Sequence, residues 1–461
     1  MSLARRPAQP APSLESEFSS SDLNLLFWTG MVTLVLLGAT IAVLAIGGRP
    51  DPPALRAAAP LLDGAWRFHI GDDPRWADPT SDDSGWETMD LSAPAASRDG
   101  DVGLPNYLAG WMAHGHPGYH GYAWYRRRVT VPAGNRTWDI LGPTAVDHAY
   151  ELYWNGLKLG GSGRLGASPK VVGTRPMIFS LPADAAGTQG VLAIRVFMQP
   201  GYGGGSEGGG IHVAPTIAPE PESRALYRVE RWRTVAGYIV EVTEPVAMFL
   251  VIALALTTRP RSSQRDFIWW TCVALALSAL KRLDNAILAW TDLLSLASYV
   301  WLTQVVWMPI SLVTWTLAWN RWGMRASRAI DGATLVLAVA GVAGGVMHVT
   351  ILTRIDRYGF LALLLLIAVR IVRRGPMPIL AVVTMTAILA AQFADELSAV
   401  HVPGIWFPFG IGVSRTQYAY ALAIPLLALL IVRTLRSGSG PPASPTSWDT
   451  SAADTQSQLE V

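Results

Sequence analysis

The sequence predicts a mixed fold: an extracytoplasmic all-β sandwich inserted between an N-terminal membrane helix and an α-helical seven-span membrane bundle. Three observations predict it. Of the 461 residues 51% are apolar and only 15% are charged, too apolar for a soluble chain of this size and too patterned for disorder. Apolar stretches long enough to cross a bilayer recur along the chain. Between the first two of them lies a long segment in which short β-type runs alternate with turn residues.

The first stretch, Leu25 to Ile46, carries no charge and at about 1.5 Å per residue reaches across a hydrocarbon core of roughly 30 Å. A cleaved signal peptide is the competing reading. The polar leader from Met1 to Asp22 is long, however, and the apolar run exceeds a usual signal core, so residues 25–46 read as an uncleaved anchor behind a cytoplasmic tail, residues 1–24. Seven further spans fall at approximately 235–257, 267–290, 296–319, 329–352, 358–373, 378–400 and 416–434, giving a membrane module over 235–434.

Arginine sets the orientation. Arg5, Arg6, Arg259, Arg261, Arg265, Arg321, Arg325, Arg328, Arg370, Arg373, Arg374, Arg433 and Arg436 all fall on one side of an eight-span chain. The opposite short connections carry only Arg354, Arg357 and Arg415. Both termini are therefore expected in the cytoplasm of a bacterial inner-membrane protein, and residues 51–233 in the periplasm. The Ser/Pro/Gly/Thr-rich stretch 437–461 reads as a disordered cytoplasmic tail.

With 36 basic against 34 acidic residues the charge nearly cancels, and a nucleic-acid partner is excluded on composition. Cys272 is the single cysteine and lies in an apolar run, so the outer domain has no disulfide and must be held by packing.

Within 51–233, the runs Trp124 to Val131, Ala149 to Trp154 and Val191 to Phe197 read as antiparallel strands. Asn155-Gly156 after the second is a hairpin signal, because both central positions of a type I′ turn need positive φ. The series Leu62-x-Gly64-x-Trp66-x-Phe68, Asp82-Asp-Ser-Gly-Trp86, Tyr122-x-Trp-Tyr-Arg126 and Tyr153-x-Asn155-Gly156 resembles the galactose-binding-like jelly roll, including the sugar-binding domain of family 2 glycoside hydrolases. The resemblance implies a jelly-roll sandwich over most of 58–215. In such domains the tryptophans fill the core and the Asp and Ser side chains cap local backbone.

Asn106 to His120 crowds Tyr107, Trp111, His114, His116, Tyr119 and His120 into a loop rich in glycine. Aromatic faces and imidazoles suit a carbohydrate or another small polar ligand, so this loop is a candidate binding rim, with a merely ordered loop as the alternative. Zinc is disfavoured, since Pro117 and Gly118 break any helical ligand pair and no cysteine completes a set, and neither a metal nor a cofactor is expected. Tyr202 to Gly210 lacks the Lys-Ser or Lys-Thr of a phosphate loop and reads as a flexible loop that the strand order could place beside the rim.

Ionisable residues inside spans are costly unless paired or wet. Glu241 and Glu244, Lys281, Arg282 and Asp284, and Asp395 and Glu396 all count to roughly 6 to 14 Å below the outer surface, one polar layer facing the outer domain. Register-fixing ion pairs, a coupling pocket and snorkelling of residues near the span ends are the three readings. The inner halves lack a continuing charge path, and no span contains His-x-x-x-His or His-Glu-x-x-His, so transport and metal hydrolysis lose ground and the chain is not read as an enzyme.

The segment Val402-Pro-Gly-Ile-Trp-Phe-Pro-Phe-Gly-Ile-Gly-Val-Ser-Arg-Thr-Gln-Tyr-Ala-Tyr420 resembles bacterial seven-transmembrane receptors with diverse intracellular signalling modules. Arg415 at its end stands ready to pair with Asp395 or Glu396. That resemblance implies a jelly-roll sensor on a seven-helix module over about 22–436. It departs from the family in having neither a phosphoacceptor helix nor a Gly-Gly-Asp-Glu-Phe motif, so output is expected from a separate cytoplasmic signalling protein, with the stretch Leu226 to Thr234 transmitting the change. A scaffold subunit of an envelope polysaccharide system is the alternative.

Overall fold

The computed structural model describes residues 28, 32, 39, 42, 55, 59–97, 105–173, 175–201, 207–256, 262–323, 325–374, 376–400, 402 and 415–436. The expected tails 1–24 and 437–461, most of the anchor 25–46, and the segment 403–414 lie outside the described residues.

The segment between the expected anchor and the helical region folds into antiparallel sheets. The larger has six strands in the order β2-β1-β3-β9-β6-β7, formed by Ala65–Ile70 (β1), Glu87–Asp90 (β2), Gly121–Thr130 (β3), Ala149–Trp154 (β6), Leu157–Ser162 (β7) and Gln189–Met198 (β9). Trp138–Leu141 (β4), Ile178–Ser180 (β8) and Thr216–Pro219 (β11) make a three-stranded sheet, and Val146–Asp147 (β5) pairs with Gly210–Ile211 (β10). The two larger sheets share one core, in which Trp66, Phe68, Tyr125, Leu152 and Ile194 meet Ile140, Phe179 and Ile217. Period-two alternation supplies it: on β1, Trp66 and Phe68 point inward while Ala65 and Arg67 point out.

Asn155 and Gly156 have φ of 46° and 84°, and they close the β6–β7 hairpin as their chemistry requires. The outer face of the large sheet is covered by residues 72–86, whose Trp76, Ala77 and Trp86 pack on Trp124 and Ala193. Arg126, only 1% exposed, ties this cover down by donating to the carbonyls of Ser81 and Asp78 at 2.9 Å each and meeting Asp83 Oδ2 at 3.1 Å. Asp82 Oδ1 accepts the Ser84 N–H at 3.0 Å, so this turn is structural.

β11 runs directly into the helix Glu220–Gly237 (α1), whose Leu226 packs with Ala59, Leu141 and Ala218. Then follow Val240–Leu256 (α2), Ser262–Trp290 (α3), Leu296–Trp301 (α4), a π turn over Leu302–Trp307, Met308–Asn320 (α5), Arg328–Met347 (α6), Thr350–Arg374 (α7), Pro378–Gln392 (α8), Ala394–Ala399 (α9) and Arg415–Arg436 (α10). Pro309 has no N–H, and its ring crowds the carbonyl four residues back, which accounts for the widened turn before it. Seven of these helices contribute to one apolar core that includes Met248, Leu275, Trp315, Phe360, Ile388 and Ile431.

Among the described residues, three helices are long and apolar enough to cross a membrane: Leu296–Asn320, Arg328–Met347 and Arg415–Thr434. Their outer faces expose Leu335, Val336, Val339 and Leu422, which is the make-up of a membrane protein. The expected count of seven is met to that extent only. Val240–Leu256 and Pro378–Gln392 are shorter, while Ser262–Trp290 and Thr350–Arg374 carry several charges.

Two expected boundaries move. The helix over 329–352 stops early because His348 caps it in the left-handed region at φ 53°, and α7 begins at Thr350. Arg357, expected in an outer connection, is therefore a buried helical residue. The segment 378–400 is broken at Phe393, which leaves helical geometry between α8 and α9.

Candidate functional site

A cluster of one carboxylate and two imidazoles gathers where β5 meets β10, in the register Gly210↔Asp147 and Ile211↔Val146. Asp147 Oδ2 accepts the Gly209 N–H at 2.9 Å and lies 3.1 Å from His212 Nε2; Oδ1 lies 3.7 Å from His148 Nε2. The Asp147–His148 peptide is cis. His212 Nδ1 is 2.9 Å from the Leu108 carbonyl, which can only accept, so that nitrogen carries a proton. His148 Nδ1 instead accepts the Gln199 N–H at 3.1 Å, which leaves the proton of the neutral ring on Nε2, facing Asp147. Tyr107 stacks on His212 with centroids 4.8 Å apart and planes 4° from parallel.

The electrostatics follow from burial and neighbours. Burial opposes ionisation of Asp147, but the contact and charge of His212, the charge of His148 and the Gly209 N–H outweigh it and hold the carboxyl down at about 2. Burial lowers His148 below its ordinary value; Asp147 works against this, while His212 and His120 add to it. The result is a fixed carboxylate between imidazoles, with an aromatic wall.

Trp111 is the floor beneath it. Its ring is fully buried, with Nε1 donating to the Tyr119 carbonyl at 3.1 Å. The stretch Glu207 to Gly209 lies along this floor, its carbonyls accepting from Gly110 at 2.7 Å, Met112 at 3.1 Å and Trp111 at 2.9 Å. The glycine-rich loop thus does sit beside the rim over its described part, while residues 202–206 lie outside the described residues.

The expected rim residues do not converge on one point. Tyr107 joins the Asp147 cluster, and His120, half-buried with no hydrogen bond at Nδ1 among the described residues, is near enough to His148 to repel its charge. Trp111 and Tyr119 serve packing, with Tyr119 Oη donating to the Tyr122 carbonyl at 2.7 Å. His116 turns away to Glu87 Oε2 at 2.9 Å, and His114 is exposed. Asp147, His148 and His212 were not expected. The sequence offers only an Asp-His pair at a strand junction and a histidine after a glycine run; their meeting depends on a strand pairing far apart in the chain.

The expected polar layer among the helices divides into separate groups. Arg282 Nη1 donates to both oxygens of Glu241 at 3.1 and 3.2 Å, and its Nε lies 3.6 Å from Glu244 Oε2. Asn285 and Gln417 donate to the same Glu241 oxygen at 3.1 and 2.7 Å. Arg282 also lies 5.1 Å from the Tyr420 ring centre; Tyr420 donates to Ser278 at 3.2 Å and accepts from Gln392 at 2.6 Å, and Gln392 accepts from Ser311 at 3.2 Å. This chain links α2, α3, α5, α8 and α10.

Asp284 faces elsewhere and accepts from Trp307 Nε1 at 3.1 Å, while Lys281 is half-buried beside it. Glu396 is taken by Arg357, whose Nε donates to Oε1 at 2.6 Å, and Arg415, expected beside Asp395 or Glu396, donates to the Val402 carbonyl. The Asp395 side chain lies outside the described residues. Among the described residues no group of three or more His, Cys, Asp or Glu could hold a metal ion.

No family model matches the chain, and none of the curated proteins does. Part of it is similar to solved glycoside hydrolases. A Bacteroides uniformis beta-glucuronidase is 23% identical with a TM-score of 0.26, covering 34% of this chain and 17% of that one. A glycosyl hydrolase family 2 member from Bacteroides cellulosilyticus is 19% identical with a TM-score of 0.26, covering 35% and 20%. A Bifidobacterium dentium beta-glucuronidase is 20% identical with a TM-score of 0.21, covering 30% and 20%. The chain thus spans a fifth or less of the length of these structures, and at such TM-scores the likeness assigns neither a fold family nor an activity.

Proposed function

We propose that the chain is an inner-membrane sensor. In this reading residues 51–233 are a periplasmic jelly roll that binds a carbohydrate or another small polar ligand, and a seven-span module over 235–434 carries the change to a separate cytoplasmic signalling protein. The anchor 25–46 and both cytoplasmic termini belong to the same reading, as does membership of the seven-transmembrane receptors with diverse intracellular signalling modules. The observation that carries it is the Asp147 site. A carboxylate held ionised, His148 with its proton on Nε2, His212 protonated at Nδ1 and the face of Tyr107 supply the acceptor, donors and stacking surface that sugar hydroxyls and ring faces require.

A binding screen on the full chain in detergent tests it, with neutral and acidic mono- and disaccharides followed by thermal shift and calorimetry. The expected result is a ligand whose affinity falls about tenfold or more in Asp147→Asn and in Tyr107→Ala, the loss of one charged hydrogen bond or one stacking face. A ligand indifferent to both substitutions, or no ligand at all, overturns the reading.

A further inference from the structure

The chain joins its β domain to its helices through α1, but the two meet again at a place remote from it in sequence. The connection from β7 to β8 reaches the loop between α3 and α4. Arg175 donates to the Trp290 carbonyl at 3.1 Å and pairs with the Asp292 carboxylate, and Lys170 Nζ lies 3.5 Å from the Asp292 carbonyl. The Leu296 N–H, at the start of α4, donates to the Val171 carbonyl at 3.0 Å. Gly173 approaches so closely that a Cβ there would lie 2.3 Å from the Leu288 carbonyl oxygen.

This contact lies one layer of side chains from the Asp147 site. Leu296 packs against the cluster of Ala149, Val171 and Phe197. Ala149 directly follows His148, the His148 N–H donates to the Phe197 carbonyl at 2.8 Å, and the His148 ring accepts from Gln199 at 3.1 Å. On the far side α4 leads into the π turn, where Trp307 donates to Asp284 at 3.1 Å. Packed interiors rearrange between discrete states instead of deforming smoothly, and a widened helical turn is a common place for such a change.

We infer that residues 170–173 together with Arg175 are the joint through which the state of the Asp147–His148 site is passed to α4 and its π turn. The inference rests on the sensing reading for what alters the site, and places the route through this non-covalent contact instead of through Leu226 to Thr234 alone.

Hydrogen–deuterium exchange of the full-length protein in lipid nanodiscs tests it without a ligand. His148→Ala disturbs the site directly and should speed exchange severalfold in peptides covering Leu296 to Trp307. In Arg175→Asp the same peptides should no longer respond to His148→Ala, and the exchanged pair Arg175→Asp/Asp292→Arg should restore the response. His148→Gln replaces His148→Ala if the latter does not fold. Exchange at 296–307 that ignores the His148 substitution, or responds equally with and without Arg175, overturns the joint. A failed ligand search with this response intact would sink the sensing reading alone.

Discussion

At Asp147 two opposing effects decide the charge, and the stabilising one wins. Its carboxyl is held at about 2 against an ordinary 3.8, so the folded state binds its proton less readily than the unfolded chain does. A depressed carboxylate contributes stability above its unfolded value, here about 2 kcal/mol at neutral pH, and loses it as the pH falls through the folded one. The window is thus from about pH 4 down to about pH 2. His148 acts with the same sign at milder pH: its imidazolium is disfavoured in the fold, so acid below its ordinary value also favours unfolding. Asp147→Asn is expected to lower the melting temperature at neutral pH and to flatten the decline between about pH 4 and 2, read by tryptophan fluorescence of the full chain in detergent. An acid limb as steep as that of the unsubstituted protein would mean that other carboxylates govern it.

The strand pair β5–β10 depends on glycines that no other residue could replace. Gly209 has φ of 91°, and a Cβ there would sit 2.3 Å from Trp111 Nε1, in the fully buried floor of the site. Gly201 has a similar φ of 80°, with nothing among the described residues within 4 Å of a Cβ there, and so isolates the backbone cost from the steric one. Gly209→Ala is expected to destabilise by about 2 kcal/mol or more beyond Gly201→Ala, measured by thermal unfolding in one detergent. Equal costs would place strain in the backbone alone. This element also shows where reading the sequence succeeds and stops. The β6–β7 hairpin is legible because Asn155-Gly156 dictates its own dihedrals locally. Likewise the tryptophans of the cover and core announce burial by composition. The site was only half legible: Tyr107 and His120 were found as a loop rich in aromatics and imidazoles, but His212 reaches Asp147 only through a long-range register. Arg357 was misplaced for a related reason. A charge near an apolar segment reads as a loop residue, whereas here it is held in α7 by Glu396 and the Gln392 carbonyl.

For the molecule as a whole, the sides of the membrane on which exposed positions lie decide how many helices cross it. A buried polar chain from Glu241 to Ser311 fixes several helices to one another, yet says nothing of which face is outside. Arginine distribution predicts the orientation, by the preference of positive loops for the cytoplasm. Cys272 is buried, so the native thiol should stay silent towards a membrane-impermeant maleimide, and single cysteines can report position. Leu293, 83% exposed, precedes the apolar helix Leu296–Asn320, Arg325 follows it, and Thr350 follows Arg328–Met347. Leu293→Cys and Thr350→Cys are expected to label in cells whose inner membrane is intact, and Arg325→Cys only after that membrane is opened. Labelling of all three without opening would remove both crossings, and the inverse pattern would reverse the orientation. Arg373→Cys then tests the next crossing that the seven-span reading needs, because Thr350–Arg374 carries Arg354, Asp356 and Arg357 near its start and is not apolar enough to count by composition. Arg357 is paired with Glu396, which lowers the cost of carrying it into the bilayer, and the helix of 25 residues reaches about 37 Å, enough to cross the hydrocarbon core. Protection of Arg373→Cys until the membrane is opened supports that crossing; labelling in intact cells ends the seven-span reading.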